Sequence, residues 1–272
     1  MSSTSTITYS DIIQQVTEDN VVERFPEVVT LAHDSAPTSA SSASEDKDLF
    51  RGHDEEQIKL MDEMCIVLDW NDKPIGGASK KACHLMTNID QGLLHRAFSV
   101  FLFNDEGKLL LQQRAEEKIT FANQWTNTCC SHPLAIPTEL GHDLESSIVG
   151  AKRAARRKLD QELGIKPEYV PIEDFKYLTR IHYASPSNGP WGEHEIDYIL
   201  IIKANPVIVP NYNEVKDIKY VNADELKAMF KNPELSFTPW FKLICETYLF
   251  KWWDNLSNLD SFVEEDITRM LQ

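Results

Sequence analysis

The sequence is poor in the features that would mark it as secreted, membrane-bound or nucleic-acid-binding. It has five cysteines in 272 residues, an odd number, and two of them, Cys129 and Cys130, are adjacent and unable to bridge readily to each other. A disulfide framework is therefore not expected, and reduced thiols in a reducing compartment are. No stretch approaches the roughly 18 uncharged apolar residues that a membrane span needs. The N-terminus has neither the basic patch nor the apolar core of a secretory signal, and Asp11, Glu18, Asp19, Glu23 and Glu27 argue against an organellar transit peptide. No Ser-Lys-Leu ending is present, since the chain closes on Met270-Leu-Gln272. A cytoplasmic protein without membrane insertion is the expectation. Positive charge is also scarce: Lys and Arg number 27 against 43 Asp and Glu, a net charge of -16. Such a surface offers a phosphate polymer no general attraction, so nucleic acid is not expected as a partner. A small anion is still compatible, because a few converging cations or a bound divalent ion create a local positive site.

What is present is ordinary globular material, 42% hydrophobic and 10% aromatic, enough for one sizeable domain. Residues 35–48 are small and polar with no apolar period, and burial there cannot repay the entropy of ordering. They read as a linker, so residues 1–54 are expected to form a partly disordered extension and residues 55–272 a single folded domain. Within that domain Met64-Cys-Ile-Val-Leu68 predicts a buried strand closed by turn residues. Arg96 to Phe103, an Asn-Asp-Glu-Gly turn and Lys108 to Arg114 predict a hairpin. Apolar residues at Ile148, Ala151, Ala155, Leu159 and Leu163 repeat with helical spacing, and Gly164 supplies the stop. Ile196 to Ile202 is another β-rich run. Asn222 caps a helix with Glu225 at its third position, and residues 239–256 have an aromatic-rich helical pattern. Strands and helices interleave without a repeat, which favours a mixed α/β (α+β) sandwich.

The chemistry concentrates in a few places. Cys129-Cys130-Ser131-His132 sets a thiol two positions from a metal ligand, a pattern that also fits a structural zinc half-site. Glu193 and Glu195 alternate along an extended segment and so share one face. With His84, His95 and His132 they form a mixed nitrogen-oxygen set suited to zinc, manganese or iron, although each histidine alone also reads as an ordinary hydrogen-bonded residue. Lys80, Arg114 and Lys118 are cations that could meet a diphosphate. The segment Arg157-Lys-Leu-Asp-Gln-Glu-Leu-Gly-Ile165 resembles the second half of the Nudix pattern, keeping the arginine, the aliphatics, the glycine and Glu162. Lys158 and Gln161 stand where that pattern has acidic residues. Hydrolysis by several metals is disfavoured by this loss, whereas one glutamate suffices for a single Mg²⁺ on a diphosphate.

Several further blocks belong together: Lys80-Lys-Ala-Cys-His84, Leu93 to Phe103, Leu110-Leu-Gln-Gln-Arg114, Thr126 to Leu134, Leu178-Thr-Arg-Ile-His-Tyr183, Trp191 to Tyr198, Thr238-Pro-Trp-Phe241 and Phe250-Lys-Trp-Trp-Asp254. In unbroken order from Glu63 onward, they resemble type I isopentenyl-diphosphate delta-isomerase of the eukaryotic kind. The resemblance implies a Nudix-like α/β/α sandwich with a mixed sheet. The implied reaction interconverts isopentenyl and dimethylallyl diphosphate in isoprenoid biosynthesis through a tertiary carbocation-like state. By similarity, Cys130 and Glu195 are the proton-transfer groups, with Tyr183 beside the carboxylate. His84, His95, His132, Glu193 and Glu195 would bind one divalent ion, zinc or manganese, with Mg²⁺ as a further option. Glu162 and the carbonyl of Cys130 would hold a diphosphate-bound Mg²⁺. Lys80, Arg114, Lys118, Ser131 and Lys158 would hold the phosphate end, and Trp240 would face the cation. Cys129, Trp252 and Trp253 read as packing residues. A Nudix hydrolase and a zinc-stabilised interaction module are the competing readings from other classes.

Overall fold

The computed structural model describes residues 7–31 and 46–271. Its spine is β3, Leu94–Phe103, whose ten residues are all buried. One edge of β3 runs parallel to β8, Gly192–Lys203, from His95↔Glu195 to Phe103↔Lys203. The other edge is shared in succession by β1 (Met64–Leu68), β6 (Cys129–Ser131) and β4 (Leu109–Arg114). Beyond β8 lie β7, Lys176–Pro186, and β10, Ile267–Arg269; beyond β1 lies β2, Pro74–Ser79. β4 continues onto β5, Trp125–Thr126, and β9, Val215–Val221.

The period-two alternation of strands sorts the side chains into two layers. Phe98, Val100 and Leu102 of β3, with Ile196, Tyr198 and Leu200 of β8, pack under the helix Leu144–Leu163. Ala151, Ala154 and Ala155 keep that helix close to the sheet. At Gly150 a Cβ would meet the carbonyl oxygen of Glu139 at 2.2 Å, and Gly164 closes the helix at φ 63°, a conformation glycine adopts without cost. The opposite face carries Phe101, Phe103, Ile199 and Ile201 against the C-terminal helical segment. An α/β/α sandwich results, as the family resemblance implies.

Three expectations need correction. The predicted β3–β4 hairpin keeps only the pair Phe103↔Leu109, because β6 occupies the next stretch of the β3 edge and β4 must turn away to β9. The helix predicted over 239–256 is interrupted: Pro239–Ile244 is α-helical, Cys245–Leu249 is a π-turn and Phe250–Trp253 resumes the α-helix. The wider turn brings Ile244, Cys245, Leu249 and Trp252 all into the core. Finally, much of the expected extension is part of the folded body. Val16, Val21, Phe25 and Val28 are buried against Cys65, Val67 and Ile75, and Val29 pairs with Gly77. Of the predicted linker, Asp46–Leu49 forms a helical turn, and residues 35–45 lie outside the described residues. Among the described residues no helix is long and apolar enough to cross a membrane.

Candidate active site

The site lies on the face of the sheet that carries the odd-numbered residues of β3 and β8. Strand register builds its centre: Glu195 on β8 is flanked by His95 on β3 and by Tyr183 on β7. Tyr183 Oη donates to Glu195 Oε2 at 2.5 Å. Glu195 Oε1 lies 2.8 Å from His132 Nε2 and 3.3 Å from His95 Nε2. Two residues earlier on the same face, Glu193 Oε2 lies 2.8 Å from His84 Nε2. His84 ends the short helix Lys80–His84, and its Nδ1 donates to the Lys80 carbonyl at 2.6 Å, which turns Nε2 toward the cluster.

All five expected metal ligands therefore converge, with one ligand atom from each lying within 4.8 Å of all the others. They are buried, and His84 Nε2, both nitrogens of His95 and Glu193 Oε2 make no hydrogen bond. Orphaned polar atoms are costly in a protein interior. Ligands about 2.1 Å from a shared ion lie at most roughly 4.2 Å apart, so a small contraction would seat one. Burial, reinforced by the neighbouring imidazoles, holds His132 well below the usual histidine range, and burial likewise lowers His95. Both rings are thus neutral and able to ligate. For Glu195 burial acts upward, but His95, the Tyr183 hydroxyl and His84 outweigh it and keep the carboxyl below its ordinary value. The cluster fits a divalent metal ion.

Cys130 opens onto the same cavity. It sits on β6 opposite Ser99, with Cys129 pointing the other way, into the core under the long helix. Burial pushes the Cys130 thiol up to about 12, further raised by Glu162 and Glu195 and opposed by Arg114. Protonated thiol and ionised carboxylate thus line one cavity together with Tyr183, Trp240 and Ser131. Trp240 is fixed edge-on to Phe121 at 5.2 Å and donates its Nε1 hydrogen to Asn127 Oδ1 at 3.1 Å.

Lys80, Arg114 and Lys118 also line this cavity, together with Glu162. Arg114 Nε and Nη2 are engaged by the carbonyls of Thr120 and Phe121, so its fork is anchored to the loop rather than wholly free for a ligand. Lys158 is the expected contact that does not line the cavity: its Nζ lies 3.4 Å from Glu162 Oε1, behind that carboxylate. Sequence reasoning missed three buried polar residues here. Asn127 orients the indole. Glu214 pairs with Lys118 at 2.6 Å. Asp197 accepts from Ser99 at 2.8 Å and is raised well above the carboxylate range by burial and then by Glu195. For Asp197 the signal was available, since it is the one charged residue within Ile196-Asp-Tyr-Ile-Leu-Ile-Ile202.

Residues 93–241 match the model of the NUDIX domain, and the relatives decide the branch. The chain is 60% identical over 280 residues to isopentenyl-diphosphate delta-isomerase of Candida albicans, covering 97% of this chain and 99% of that one. The chain belongs to the isopentenyl-diphosphate delta-isomerase family. It is also 62% identical over 272 residues to isopentenyl-diphosphate delta-isomerase IDI1 of Gibberella zeae, covering 99% of this chain and all of that one. The bovine isopentenyl-diphosphate Delta-isomerase 1 is 56% identical over 221 residues, 80% of this chain and 96% of that one. Among solved structures, DR0079 from Deinococcus radiodurans is similar with a TM-score of 0.48 at 16% identity, covering 69% of this chain and 100% of that one. The departures from the Nudix box thus sit within an isomerase family: Lys158 presents an ammonium to Glu162 where a multi-metal hydrolase would have a carboxylate.

Proposed function

We propose that this isomerase moves the double bond of isopentenyl diphosphate by proton transfer between Cys130 and Glu195, giving dimethylallyl diphosphate for isoprenoid biosynthesis. An unactivated alkene is a weak base, so one positioned acid must protonate its terminal carbon while a second group takes a proton from the carbon on the other side of the cationic centre. Each such group typically contributes ~10²–10⁴-fold. The observation that carries this reading is a neutral thiol and an ionised carboxylate lining one buried cavity. Tyr183, hydrogen-bonded to Glu195 Oε2, orients that oxygen and belongs to the same proton-transfer group.

His84, His95, His132, Glu193 and Glu195 would hold zinc or manganese, with Mg²⁺ the further option, and Glu162 with the Cys130 carbonyl would hold Mg²⁺ on the diphosphate. Bound there, the ions supply fixed positive charge that orients Glu195 and neutralises the diphosphate. Lys80, Arg114, Lys118 and Ser131 bind the phosphate end, and that remote binding keeps the short carbon chain in register for proton transfer. Trp240 offers an indole face to the developing cation while excluding water. Lys158 acts through Glu162 rather than on the substrate. The five cysteines are all free, which supports a reducing compartment such as the cytosol.

The test is incubation with isopentenyl diphosphate and Mg²⁺ in heavy water. Dimethylallyl diphosphate carrying deuterium is expected. Release of inorganic phosphate without isomer would replace this reading with a hydrolase.

A further inference from the structure

We propose that Glu214 is the positioning residue for the diphosphate-binding Lys118, holding its ammonium charged and aimed into the cavity before substrate arrives. Both groups are nearly inaccessible, Lys118 at 8% and Glu214 at 5% exposure. Lys118 Nζ donates to Glu214 Oε2 at 2.6 Å. The second oxygen of Glu214 accepts from Gln57 Nε2 at 2.8 Å, and Gln57 in turn donates to the carbonyl and side chain of Asn213. Asn213 Nδ2 donates to Asp54, which caps the helix Glu55–Leu60. From the other side, the Ala115 amide donates to the Glu214 carbonyl, next to Arg114. Lys118 thus stands at the end of a hydrogen-bonded chain rooted in the helix Glu55–Leu60.

A buried lysine tends to lose its proton. Here burial lowers Lys118 to about 8, and Lys80 and Arg114, which line the same cavity, push the same way. Glu214 and, less strongly, Glu162 oppose them. A neutral amine binds a diphosphate poorly, so the carboxylate that keeps the charge also keeps the affinity. An arriving phosphate can share the ammonium, which has three donors, without breaking the Glu214 contact. The proposal rests on Lys118 as a diphosphate contact.

The experiment measures KM and kcat for isopentenyl diphosphate from pH 6.5 to 9 with Mg²⁺ in excess. Wild-type KM should rise as pH passes about 8 and Lys118 loses its proton. In Glu214→Gln the rise should begin at lower pH, with KM about tenfold above wild type at pH 7.5 and kcat changed much less. Glu214→Asp, which restores the charge, should return the profile toward wild type. A folded Glu214→Gln protein with wild-type KM and pH profile, or one with only a lowered thermal midpoint, would overturn the proposal. If Glu214→Gln does not fold, Gln57→Met keeps both charges and should shift KM in the same direction by about threefold; an unmoved KM there overturns it as well. Lys118→Met is the control: an unchanged KM would remove the diphosphate contact itself, whereas a raised KM with an unaffected Glu214→Gln removes only the role of Glu214.

Discussion

In the histidine-glutamate cluster, each functional side chain is fixed by a neighbour on an adjacent strand or helix, whereas the two buried lysines Lys118 and Lys158 lean on buried carboxylates, one from a distant loop and one a turn away on the same helix. Tyr183, Glu195 and His95 sit side by side across β7, β8 and β3 because register puts them there. Lys118 and Lys158 depend instead on Glu214 and Glu162. The difference is one of tolerance. A group that exchanges protons with carbon must be placed to a fraction of an ångström, which a central sheet provides. A cation that meets a diphosphate needs chiefly to stay charged and within reach, which a paired carboxylate provides.

The contrast can be broken by variants in each group. The largest effect is expected in the histidine-glutamate cluster: His132→Ala should lower kcat by about a thousandfold, equivalent to ~4 kcal/mol. Native mass spectrometry should show one bound ion fewer, while KM moves little. A variant that raised KM and spared kcat would mean that the two groups are not functionally separate. Next comes the indole in the cavity lining. Trp240→Leu should cost about thirtyfold in kcat, the loss of ~2 kcal/mol of desolvated cation-π attraction, and a kcat within threefold of wild type would return Trp240 to simple packing.

The smallest effect concerns stability rather than rate. His182 and His194, behind the metal face, are stacked at 5.0 Å and linked Nε2 to Nε2 at 2.9 Å, with His194 Nδ1 donating to Leu93 and Arg269 donating to His182. Burial drives them down to about 2 and about 3, below the ordinary histidine value of 6.5. The unfolded chain therefore takes up protons that the folded one refuses. The pair's contribution is fully present above pH 6.5 and is lost progressively as pH falls toward 3. Melting curves should show the midpoint declining from pH 6.5 to pH 4, and less steeply in His182→Gln. An equal decline in both would assign the acid sensitivity to other groups.

How much of this was legible in the sequence follows the same division. The long helix and its glycine stop, β1 and the capped helix at Asn222 were readable because their signals are local. The five metal ligands were readable as a set through the family blocks, although their meeting point depends on pairings as distant as His95 with Glu195. The hairpin was misjudged because competition for one edge of β3 is not visible locally. The packing of residues 7–31 was not legible because their apolar side chains share one cluster with residues of β1 and β2, contacts that no local pattern reports. Glu214 was passed over for a related reason. In Asn211-Tyr-Asn-Glu214 it reads as a solvated loop glutamate, and only the fold brings Lys118 to it.

The central claim is that a thiol and a carboxylate exchange protons with the substrate inside one cavity. Its most direct test is deuterium incorporation from heavy water by wild type, Cys130→Ala and Glu195→Gln, with folding checked by circular dichroism. Both variants should fold and lose about 10³–10⁴-fold in the rate at which deuterated dimethylallyl diphosphate appears. A folded Cys130→Ala protein with wild-type rate and labelling would contradict the account.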